Sequence, residues 1–106
     1  METLAEALER LGRAGYAVDF FARGGLICCP ECDQTIDPAQ LVVDEVVRFE
    51  GESDPSEEVI VYALSSGPCG RWGTFTTAYG PGISEEDLAV AQVLRDRPHR
   101  HPRPAS

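Results

Sequence analysis

The 106-residue chain contains no lysine and no asparagine. Without lysine it offers no amine for a Schiff base and no ammonium for a phosphate-cradling loop. Histidine occurs only as His99 and His101, both in a proline-rich stretch, so no imidazole stands where a nucleophilic triad would need one. No apolar run approaches the roughly 20 residues of a membrane span, which argues against a membrane partner. The N-terminus, METLAEALER, carries acids where a signal peptide would be basic, so the expected location is the cytoplasm. Positive charge is also scarce. Residues 1–94 hold five Arg against 17 acids, a net of −12, whereas residues 95–106 hold four Arg and one Asp, a net of +3. A body this acidic repels phosphate backbones, which bind through Lys and Arg that displace counterions. Nucleic acid is therefore not an expected partner. No internal repeat is visible.

What is present reads as one α+β domain over residues 1–96, followed by a disordered Pro/Arg/His tail over 97–106. Thr3 and Glu6 have capping-box spacing, and Leu4, Leu8 and Leu11 with Ala7 form the apolar stripe of a helix that Gly12 or Gly15 ends. Alternation from Tyr16 to Phe21 predicts a strand, and Arg23-Gly24-Gly25 a hairpin turn into a second strand at Leu26-Ile27-Cys28. Leu41–Glu50 predicts a third, with Leu41, Val43, Val47 and Phe49 on one face, interrupted by Glu45. Val59–Ser65 is almost continuously apolar, as in a central strand, and Trp72–Tyr79 is rich in Thr and aromatics, as in a fifth. Ser84 caps a last helix whose stripe is Leu88, Ala91 and Leu94, with Val90 alongside. The expected fold is a mostly antiparallel sheet of four or five strands, flanked by an N-terminal and a C-terminal helix packed on one face.

The four cysteines carry the sharpest chemistry. In a cytoplasmic chain they suggest metal or redox chemistry before structural disulfides. Cys29-Pro30-Glu31-Cys32 is a tight turn after a strand, which points two thiolates at one point and makes half of a tetrahedral zinc site. Cys69-Gly70 follows the strand Val59–Ser65 in a similar setting, and Ser66 stands where a second C-x-x-C would have its first cysteine. Cys29, Cys32, Cys69 and Ser66 are thus the candidate metal residues, with zinc as the structural ion, held in zinc-ribbon-like turns at one end of the sheet. If the second, third and fourth strands alternate in direction, both turns share that end, about 10 Å apart with one strand between them. Cys28 is a poor substitute, because strand neighbours point to opposite faces. An intact site, a relic of one and plain buried thiols stay open as readings. A thioredoxin-like redox motif requires a long helix after the cysteines, and DQTIDP has no helical period.

Other features have ordinary readings beside chemical ones. Glu50, Glu52, Asp54, Glu57 and Glu58 crowd one turn and could meet a divalent cation through hard oxygens, though without the spacing of a calcium loop. Gly80-Pro81-Gly82 precedes a helix start, a place for anions, but Glu85, Glu86 and Asp87 oppose one there. Trp72 serves either as a stacking platform or as a cover for the sheet end.

The segments Arg48-Phe49-Glu50-Gly51, Ser53-Asp54-Pro55, Tyr62-Ala63-Leu64, Cys69-Gly70, Gly73-Thr74 and Tyr79-Gly80-Pro81 follow Gly15-Tyr16 and Asp19-Phe20 in this order. The arrangement resembles a family of small bacterial proteins of unknown function, from the first helix to about Leu94. Some members carry the label phosphoribosylpyrophosphate synthetase. Such a synthetase needs a phosphate loop and Lys or Arg at the transferred group, which this acidic, lysine-free chain lacks. Members with two C-x-x-C pairs look like zinc proteins and others lack the cysteines, so the resemblance implies a structural, dispensable metal; this chain departs from the first pattern at Ser66. The expected role is a non-enzymatic accessory or interaction module with a protein partner. The alternative is a small-molecule enzyme using the acidic turn or the cysteine cluster.

Overall fold

Thr3 and Glu6 cap each other as their spacing predicts. The Thr3 hydroxyl accepts from the Glu6 N–H at 3.1 Å, and the Glu6 carboxylate from the Thr3 N–H at 2.9 Å, which opens α1 (Leu4–Arg13). At its other end the Tyr16 N–H donates to the Leu11 carbonyl and the Gly15 N–H to that of Gly12, the paired bonds of a Schellman cap. Tyr16 is spent on this cap, so the first strand begins two residues later than its alternation suggests. The computed structural model describes residues 3–31, 33–49, 59–65, 67, 70–78 and 83–96. The 97–106 tail, the acidic turn over 50–58 and the Gly80-Pro81-Gly82 turn lie outside them.

Among the described residues six strands follow α1: β1 (Val18–Arg23), β2 (Leu26–Cys29), β3 (Gln34–Ile36), β4 (Val42–Phe49), β5 (Val59–Ser65) and β6 (Gly73–Ala78), before α2 (Glu85–Asp96). The count corrects the expectation of four or five. The added strand is the QTI of the segment read as a loop, three residues that pair with β2 through Ile27↔Ile36 and Cys29↔Gln34. The order β3-β2-β1-β6-β5-β4 joins two antiparallel meanders through one parallel pair, β1 with β6. At that joint Gly73 faces Val18. A Cβ there would land on the Val18 carbonyl oxygen and 2.8 Å from the Phe20 ring, so glycine is what lets the two halves meet.

The helices lie on opposite faces, not on one. Ile60, Tyr62 and Leu64 of β5 join Val18, Phe20, Ile27, Ile36, Phe75 and the α2 residues Val90 and Leu94 in the larger core. Val61 and Ala63, the alternate residues, pack with Leu11 of α1. A strand apolar on both sides needs a cover on both. On α2 the buried stripe is Val90, Ala91 and Leu94, whereas Leu88 is exposed. Asp87 takes the stripe's fourth place by accepting from the Thr77 hydroxyl at 2.8 Å, and Glu86 accepts from the Gly24 N–H at 2.9 Å, docking α2 against the β1–β2 turn.

The sheet is strongly coiled. Four strand spacings, about 19 Å if flat, separate β3 from β5. Yet an ideal Cβ on Gly67, just past β5, would stand 3.9 Å from Cδ1 of Ile36 in β3 and 2.6 Å from Cδ2 of Leu41. The two edges therefore curl toward each other around the larger core. Among the described residues no helix is long and apolar enough to cross a membrane.

Candidate metal centre

Alternation along β2 sends Ile27 and Cys29 into the larger core and leaves Cys28 on the other face, in register with Phe21 and Thr35. Cys29 is the last residue of β2 and is only 2% exposed. The chain then turns sharply: the Asp33 N–H donates to the Cys29 carbonyl at 2.8 Å, and Asp33 adopts φ 55°. A left-handed residue of this kind favours Gly, Asn or Asp. Turns that combine right- and left-handed residues make a concave cradle of amides, suited to anionic sulfur.

The second turn repeats this feature. Gly70 adopts φ 72° and donates its N–H to the Gly67 carbonyl at 3.0 Å. Asp33 and Gly70 each stand immediately after a candidate cysteine, and each turn joins the second strand of its meander to the third. Because β1 and β6 are parallel and their partners antiparallel, β2 and β5 run in the same direction and end at the same end of the sheet. That is the parity the sequence suggests, but two strands lie between them rather than one. Three spacings amount to about 14 Å on a flat sheet, and coiling shortens the path. Gly67 packs toward Ile36, the register partner of Ile27 on the strand that ends in Cys29.

Of the four predicted ligands the structure describes Cys29; Cys32, Ser66 and Cys69 lie outside the described residues. Among the described residues no group of three or more His, Cys, Asp or Glu gathers to hold a metal. His99 and His101 are likewise outside.

A second cluster at this end has no signature in the sequence spacing. β4 carries a bulge between Val43 and Glu45, which reverses its facing. Val43 joins the larger core, and Val47 and Phe49 join the α1 side, instead of all three sharing a face. The extra residue, Asp44, aims its carboxylate at the sheet end, where Oδ2 accepts from the Tyr16 hydroxyl at 2.7 Å and the Ser65 hydroxyl at 2.6 Å. Next to it Arg10 grips Glu45 with both guanidinium ends, at 2.8 and 3.3 Å, which ties α1 to β4. Trp72 stacks on Tyr16 with ring centroids 5.4 Å apart and is 46% exposed, so it lies against the sheet end while nearly half of it faces solvent. Ser65 is 1% exposed, hence its hydroxyl is a fixed strut and not an accessible nucleophile. Bulges commonly re-aim side chains in this way. The interruption of the apolar pattern at Glu45 was the available signal.

Comparisons with protein-family models, with curated proteins and with solved structures gave no match.

Proposed function

We propose that the protein is a non-enzymatic accessory module of the cytoplasm, whose sheet end is closed by a structural zinc ion held by Cys29, Cys32 and Cys69, with Ser66 at the fourth position. One observation carries the reading: two turns at the same end of the sheet, in equivalent places of two meanders, each have a left-handed residue directly after a candidate cysteine. The burial of Cys29 on the face toward which Gly67 packs supports it further. A domain of this size has a modest core, and a metal staple is a common supplement. The resemblance to small bacterial proteins with paired C-x-x-C turns points the same way. The alternative, a small-molecule enzyme using the acidic turn or the cysteine cluster, has less behind it: the acidic turn lies outside the described residues, and the buried Cys29 suits a structural ligand better than a reactive thiol.

Native mass spectrometry of the gently purified protein should find one zinc per chain; a metal-free mass overturns the reading. Cys29→Ser alone is a poor arbiter, since a hydroxyl at a site 2% exposed costs about 1–3 kcal/mol with or without zinc. The decisive comparison is the response to a chelator. Wild type should lose several kcal/mol of stability on chelation, and Cys29→Ser should lose nothing further. Equal melting temperatures of wild type with and without chelator would count against a staple.

A further inference from the structure

On the side of the sheet that α1 occupies, the helix covers only part of the surface. Its cluster gathers Val47 and Phe49 from β4 and Val61 and Ala63 from β5. Among the described residues this cluster takes no side chain from β1, β2 or β3. There Phe21 is 41% and Leu26 37% exposed, and between them Cys28, the register partner of Phe21, is itself buried at 7%. Along β1 the residues facing this way are Asp19, Phe21 and Arg23, all exposed, and the Arg23 guanidinium lies over the Phe21 ring, 5.7 Å from its centroid.

We infer that this bare half docks a second copy of the chain, face to face. The argument is the charge pattern of β1, an acid, an aromatic and a base evenly spaced along one line. A two-fold axis lying in the interface, across β1 at Phe21, brings the second β1 in antiparallel above the first. Asp19 of each copy then meets Arg23 of the other, and the two Phe21 rings meet at the axis. Such an isologous contact needs a self-complementary patch, and this row supplies one. A different protein partner would not require that symmetry. Face-packed sheets lie about 10 Å apart, a gap that aromatic and Arg side chains fill from both sides. The chain's net charge of −9 opposes association at long range, but a Debye length of about 8 Å at physiological salt leaves local pairing in control. Three short strands present a few hundred Å², short of the roughly 800 Å² per partner typical of standard interfaces. The dimer is therefore weak and concentration-dependent.

Sedimentation velocity of the full chain at physiological salt, from about 10 µM to 1 mM, tests this. Wild type should shift from monomer to dimer across the series. Asp19→Arg and Arg23→Asp should each weaken self-association at least about tenfold, because like charges then face each other twice. An equimolar mixture of the two variants should regain the wild-type affinity. In the mixed dimer the two substituted positions face each other with opposite charges, and the native Asp19–Arg23 pair survives on the other side of the axis. Thermal unfolding of each variant checks that both fold, as expected for exposed positions. A wild type that stays monomeric throughout overturns the proposal and leaves this face to a different protein. Single variants that dimerise like wild type, or a mixture that fails to rescue, overturn it as well.

Discussion

The two sides of the sheet bury their apolar residues by different means. On the α2 side the sheet coils until β3 and the segment after β5 approach each other, and Val90 and Leu94 fill the hollow. On the other side α1 covers β4 and β5, held there by the Arg10–Glu45 pair and the Asp44 cluster. The first arrangement rests on packing, the second on placed polar contacts. A coiled sheet can make only one side concave. The convex side spreads its strands apart, and one ten-residue helix cannot cover six of them. The bare β1–β3 half follows from that geometry.

If this contrast is right, the largest loss comes from the concave side. Leu94 is fully buried on α2 among residues of several strands. Leu94→Ala should cost about 2–5 kcal/mol, a large part of the roughly 5–15 kcal/mol that holds a domain together, read as a lowered urea midpoint with an unchanged slope. A cost below about 1 kcal/mol would remove the distinction between the sides. The intermediate effect belongs to the convex side's polar staple. Asp44→Ala strands the Ser65 hydroxyl, 1% exposed, and should cost about 1–3 kcal/mol. Since Ser65→Ala removes the same bond, the double variant should lose less than the sum of the singles. Strict additivity would mean the two groups do not share one network.

Much of this architecture is legible locally. The Thr3–Glu6 box, the Gly24-Gly25 turn and Ser84, whose hydroxyl accepts from the Asp87 N–H at 3.1 Å, are set by neighbours within four residues. What escapes the sequence is nonlocal or small. β3 is three residues, two of them polar, followed directly by Asp37-Pro38, and it is a strand only because β2 offers an edge. The parallel β1–β6 joint depends on Gly73, which reads in sequence as a mere strand end. The bulge at Asp44 adds one residue and so exchanges the faces of everything after it, whereas plain alternation in the sequence puts Val43 and Val47 on one face. Leu88 looks like core because its helix is read without its sheet; Asp87 holds the position instead. At the candidate site the C-P-E-C turn is visible from spacing alone. The Tyr16–Asp44–Ser65 cluster is not, because its members come together only through that bulge.

The smallest effect on the folded monomer is expected at Phe21. Phe21→Thr keeps a residue suited to a strand and gives up a partly exposed ring and its contact with Arg23, so at low protein concentration it should cost less than about 1 kcal/mol. Concentration separates this from a plain surface change. A wild type that dimerises through this face is stabilised by mass action, and its melting temperature must rise with protein concentration. The variant has lost the group at the proposed axis, and its melting temperature should stay flat over the same range. The two curves should therefore nearly coincide when dilute and part as the solution is concentrated. Parallel curves at every concentration would assign Phe21 to ordinary strand packing, and the convex side would then be bare without being used.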